Sequence, residues 1–276
     1  MIPIVPIEPL DLPQLGPHHD DLWTTLCDLG DTHHEDWVII GGQMVMLHAL
    51  QAGREPGRIS QDLDTVIDAR VRPPALPAFL ATLANLGFKS AGVSPDEVAH
   101  RFERGSVHID VLGPDGLGGR SDLRTTGTAT TIEVQGGTQA LQRAERVPVR
   151  HGARVVHVPR PNLLGAIVIK AAAVHNDPHP QRHARDVAFL CSIVTDPRTP
   201  ACSHERQGSP TAPRRDRPRR SDKRGLATPS RPRTGLHRVS NSRSCRRLNR
   251  LVRFCRCSHV RQGVEPTCAA LRLRCS

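Results

Sequence analysis

Arg58-Ile-Ser-Gln-Asp-Leu-Asp64 is the stretch from which the rest of the chain can be understood. Alternate residues of a strand share a face. An extended segment over residues 58–67 therefore aligns Ser60, Asp62 and Asp64 opposite Ile59 and Leu63. Two carboxylates on one face repel each other unless a cation or solvent lies between them. Taken alone the segment is equally well a solvated edge strand, so its surroundings have to decide.

Upstream, Trp37-Val-Ile-Ile40 is a short buried strand, ended by Gly41-Gly42 and followed by a helix over residues 43–51. Glycines between strand and helix let the backbone approach a phosphate, and the helix start offers free N–H groups. Downstream, Pro73-Pro74 opens a helix to about residue 86. Residues 100–103 and 107–112 then flank Arg104-Gly105-Ser106 as a hairpin. In its second arm the apolar Val107, Ile109 and Val111 alternate with His108 and Asp110. Such a strand belongs in the middle of a sheet, where Asp110 can complete a carboxylate triad with Asp62 and Asp64. Hard divalent cations take oxygen ligands of this kind. Two such ions and a cradled triphosphate are most of what nucleotidyl transfer asks of a protein.

Further out, Leu22, Trp23, Leu26 and Leu29 fall at helical spacing over residues 18–29. Weaker strands follow at 130–134, 146–149 and 154–158, then helices over 163–174 and from about 182 past Leu190. Residues 113–119 form a loop without the Lys-Ser/Thr ending of a phosphate loop. Strands in the middle with helices around them give an α/β (α+β) class, a mixed sheet flanked by helices.

Gly41-Gly42, then Asp-x-Asp about twenty residues on, then an Asp between apolar residues, resembles the minimal signature of the DNA polymerase β-like nucleotidyltransferases. The likeness is greatest to the AbiEii-type (type IV toxin–antitoxin) family, and it spans about residues 35–192. Arg58, Ser60, Asp62, Asp64, Lys170 and the Arg185-Asp186 pair stand where that family's motifs stand. The resemblance implies that Gly41, Gly42, Arg58 and Ser60 hold an NTP, and that Asp62, Asp64 and Asp110 ligate two Mg²⁺ ions. It further implies that Lys170 contacts phosphate and Asp186 orients a substrate or base group. The acceptor would be RNA, such as a tRNA end, or a protein, and a cognate antitoxin would be a partner. Phe189 departs from the pattern, because the family often has a second Asp there. Apart from the resemblance, Lys170 is one of three lysines and lies in an otherwise apolar helix.

Charge divides the chain. Residues 1–195 carry 17 Lys and Arg against 22 Asp and Glu, a net of −5. Residues 196–276 carry 21 against 5, a net of +16. Of eight cysteines only Cys27 and Cys191 precede residue 200, which suits a reducing compartment. No basic, apolar leader starts the chain, and no apolar run is long enough for a membrane span. A cytoplasmic protein is expected, with a domain over 1–195.

The Arg/Pro/Ser/Cys-rich segment 196–276 has too few apolar residues to offset its ordering entropy and is expected to be disordered. It can be an RNA-binding tail, a zinc site using Cys245, Cys255, Cys257, His259 and Cys268, or the out-of-frame end of a GC-rich gene. His175, His179 and His183 have metal-like spacing, but Pro178 and Pro180 break the helix that would align them. Two other functions stay open. One is a small-molecule, antibiotic-type nucleotidyltransferase, which suits an acidic body. The other is a truncated, inactive relative that only binds nucleotide or a partner.

Overall fold

The computed structural model describes residues 1–117 and 121–195 of the 276. The expected disorder of 196–276, and the cysteines there, lie outside the described residues. Along the chain run β1 (Leu10–Asp11), α1 (Pro17–Thr32), β2 (Trp37–Ile39), α2 (Gly41–Gln51), β3 (Leu63–Ile67) and α3 (Ala75–Asn85). There follow β4 (Lys89–Ser90), β5 (Arg101–Arg104), β6 (Val107–Pro114), β7 (Arg124–Thr126), β8 (Ala129–Thr130), β9 (Glu133–Val134) and α4 (Gly137–Gln142). Then come β10 (Ala144–His151), β11 (Arg154–Pro161), α5 (Leu163–Asn176) and α6 (Pro180–Ser192).

The main sheet has the order β2-β3-β6-β5-β4, with β9 pairing the end of β6. Within that order β3 and β6 are parallel and every other pair is antiparallel. A second sheet runs β1-β10-β11. The class is the mixed α/β arrangement expected, with helices on both faces of the main sheet.

Strand alternation decides which way each side chain faces. Trp37, Ile39, Leu63, Ile67, Val107, Ile109 and Val111 join residues of α1 and α3 in one apolar cluster. Val38, Val66 and Leu112 join residues of α2, α4, α5 and α6 in another. Burying each such side chain stabilises the fold by about 1.5–3 kcal/mol. Asp64 and Asp110 have the parity of Val66 and Leu112, so they turn toward the α2, α5 and α6 side. Parallel pairing sets them directly opposite each other.

One local expectation is corrected. The strand anticipated over 58–67 begins only at Leu63. The carbonyl of Ser60 accepts from Gln43 Nε2 at 2.8 Å and faces His19 Nε2 at 3.1 Å. His18 Nε2 lies 2.8 Å from the carbonyl of Gln61. Side chains thus take the carbonyls a ladder would need, and residues 58–62 form a loop against the sheet end. Ser60 and Asp62 therefore do not share a strand face with Asp64. Among the described residues no helix is long and apolar enough to cross a membrane.

Candidate functional site

Asp64 and Asp110 sit at adjacent positions of β3 and β6, and Asp110 is only 9% exposed. Burial, and then the facing Asp110 carboxylate, push the Asp64 carboxyl up to about 6. Asp62 adds to the repulsion, while Lys170 and Arg182 oppose it. These are carboxylates held together against their mutual repulsion.

Arg101 answers Asp110. The two are direct partners across β5 and β6. The guanidinium forks the carboxylate, Nε to Oδ1 at 2.8 Å and Nη2 to Oδ2 at 2.9 Å. Nη2 also lies 3.6 Å from Asp62 Oδ2. Arg101 was not among the expected site residues. Counting back across the Gly105-Ser106 turn pairs residue 101 with residue 110 and would have found it. On the open side, His108 Nδ1 lies 3.5 Å from Asp62 Oδ1, and its Nε2 lies 3.8 Å from Glu103.

The start of α2 closes over Asp64. Gly41 has φ +67°, and a Cβ there would fall on the Asp64 carboxylate. A Cβ on Gly42 would lie 2.6 Å from Ser60 Cβ. Both glycines are thus required by the approach of the acidic stretch to the helix start, a demand separate from cradling a phosphate. The positive end of the α2 dipole meets the carboxylate there.

Lys170 on α5 and Asp186 on α6 are 3% and 5% exposed, with Nζ 2.7 Å from Oδ2. Arg58 Nη2 lies 3.1 Å from the same oxygen, while Arg58 Nε is buried without a hydrogen bond among the described residues. Burial pulls Lys170 below the usual lysine range, against the pull of Asp186. The expectations were a phosphate contact for Lys170 and an orienting role for Asp186. The structure joins the two to each other, and Asp186 holds Arg58 as well.

Beside this triad opens a cavity of about 120 Å³, lined in part by Gly42, Arg58, Arg182, Arg185, Asp186 and Phe189. Arg182 is held by Asp177 at 2.5 Å and Arg58 by Asp186, and with Arg185 the lining has three arginines against one aspartate, a balance that suits an anion. Arg185 was singled out in the sequence only as the neighbour of Asp186, and Arg182, four positions before Asp186 on the same helix, went unnoticed. Phe189, the departure from the family pattern, is a wall of this cavity.

Magnesium can be weighed against these donors. No three His, Cys, Asp or Glu side chains among the described residues are gathered to hold a metal ion. Asp62 and Asp64 suit a hard cation by their oxygens and by the repulsion one would relieve. Asp110 differs, because Arg101 occupies both of its oxygens. Of the histidines, His183 Nε2 contacts Asp177 at 3.0 Å, and His179 precedes α6.

No protein-family model and no curated protein matches this chain. Among solved structures, ANT(2")-Ia in complex with adenylyl-2"-tobramycin is similar at 15% identity and TM-score 0.40, covering 64% of this chain and 89% of that one. An antigenic nucleotidyltransferase-like protein from Paracoccidioides brasiliensis is similar at 15% identity and TM-score 0.39, covering 63% and 77%. Likeness of this degree transfers no role from either protein.

Proposed function

We propose that the chain binds a nucleoside triphosphate with Mg²⁺ and transfers the nucleoside monophosphate to an acceptor hydroxyl. One observation carries this reading. Asp64, paired with Asp110 across β3 and β6, lies against Gly41 at the α2 start, and the next residue, Gly42, lines a cavity that also carries Arg58, Arg182 and Arg185. Carboxylates beside an anion site are what the transfer requires, a cation place next to a phosphate place.

In this reading Arg58, Arg182 and Arg185 grip the phosphates. The N–H groups following Gly41 and Gly42, with Ser60, line their approach. Lys170 and Asp186 hold Arg58 in position from beneath. A divalent cation at Asp62 and Asp64 supplies the neutralising charge as the nucleotidyl group moves. The resemblance described above favours an RNA acceptor such as a tRNA end, with the chain as the toxin of a toxin–antitoxin pair. A second reading, transfer to a small cationic acceptor, is favoured by the net −5 over residues 1–195 and by Asp62 and Glu103 on the open side.

The test is incubation with each α-labelled NTP, with Mg²⁺ or EDTA, and with either total tRNA or an aminoglycoside. Asp64→Ala serves as the second control. Label in one acceptor that both controls abolish supports transfer and names the acceptor class. Nucleotide binding without label in either acceptor refutes transfer to RNA and to a small cationic acceptor, and favours the inactive, nucleotide-binding relative.

A further inference from the structure

The signature the chain resembles implies two cations on three carboxylates, and the structure provides for that charge differently. We propose that Arg101 stands in place of one cation, so that the acidic site holds a single divalent ion at Asp62 and Asp64. This rests on the assignment of those residues as cation ligands above.

Both oxygens of Asp110 accept from Arg101, at 2.8 and 2.9 Å. The contact follows from backbone register, since the two residues are paired across β5 and β6. Bidentate forks of this kind are the strongest and most directional carboxylate contacts a side chain makes. The guanidinium also reaches toward Asp62, at 3.6 Å, and so lies between the two carboxylates that a second ion would bridge.

Charge points the same way. Three carboxylates carry three negative charges. Arg101 cancels one, and one divalent ion cancels the other two. A further divalent ion would leave an excess of positive charge there before any nucleotide binds. Among the described residues no arginine forks Asp64, and Asp62 has only the longer contacts of Arg101 at 3.6 Å and His108 at 3.5 Å, so this pair is where an ion is assigned.

Mn²⁺ titration of the full chain without nucleotide, followed by the electron paramagnetic resonance of free Mn²⁺, tests this. Sites that persist in Asp64→Ala are subtracted as background. The wild type is expected to bind about one Mn²⁺ per chain, and Arg101→Ala about two. Arg101→Lys keeps the charge and is expected to stay near one. Two ions on the wild type, or one on Arg101→Ala, overturn the proposal. No specific Mn²⁺ on either protein overturns the cation assignment itself. The wild-type count, with its Asp64→Ala background, does not depend on Arg101→Ala, so two ions there overturn the proposal even if Arg101→Ala fails to fold.

Discussion

At Asp64 the fold opposes a charge that the proposed chemistry needs. Its carboxyl rises from 3.8 to about 6, through burial first and Asp110 second. The folded chain therefore holds that proton more tightly than the unfolded chain. Its contribution to stability is greatest below pH ~4 and is lost as pH climbs through ~6. Asp64→Asn removes this penalty. In EDTA at pH 8 the variant should be more stable than wild type by about 1–2 kcal/mol, and at pH 4 the two should match. Thermal melts at both pH values check it, and equal stability at pH 8 would mean the repulsion is absent. Mg²⁺ should narrow the gap by binding the wild type only. The glycine beside it is constrained as tightly. Gly41→Ala meets both a positive φ and the Asp64 carboxylate, so a loss of at least about 1 kcal/mol is expected. Gly57→Ala meets nothing within 4 Å among the described residues and should keep the wild-type melting temperature.

Elements become legible from sequence where burial imposes a period. The alternation of Val107, Ile109 and Val111 placed Asp110 on the opposite face of a central strand, and there it stands opposite Asp64. The glycine pair follows β2 as expected, but it forms the first turn of α2 and not a link ahead of it. The loop at 58–62 was not legible, because it depends on His18 and His19, roughly forty positions away in the chain. Their capture of carbonyls is a tertiary contact with no local pattern. Arg101 was hidden for another reason: an arginine on a hairpin arm looks like a solvated residue until its partner is counted out. The Lys170–Asp186 contact needed the packing of α5 on α6 to exist at all. That contact can be tested as an element-level joint. Lys170→Met leaves Asp186 buried with Arg58 alone, and breaking a buried pair on one side costs about 3–5 kcal/mol. Lys170→Met combined with Asp186→Leu should recover most of that loss in denaturant melts while remaining weak in nucleotide binding, since Arg58 is no longer held. A single variant as stable as wild type would show that the pair does not join the helices.

The whole molecule joins an acidic part to a basic one, −5 over residues 1–195 and +16 over 196–276. The second apolar cluster reaches Val187, Leu190 and Cys191, and the residues of the proposed site end at Phe189, all before the basic part begins. A chain ended at residue 195 should therefore melt with the full chain and bind nucleotide as well. Its affinity for tRNA should differ. Each phosphate neutralised by an arginine adds about −0.7 to −0.9 to the slope of log affinity against log salt. The full chain should thus bind tRNA with a steep slope, and the shortened chain weakly with a shallow one. Filter binding from low to moderate salt, beside the labelling assay, then separates the acceptor readings. If the shortened chain still labels tRNA, the acidic part recognises RNA by its own surface and the charge argument for a small cationic acceptor fails. If it labels only an aminoglycoside, RNA recognition in the full chain belongs to the basic segment. A lower melting temperature for the shortened chain would instead show that residues beyond 195 support the fold.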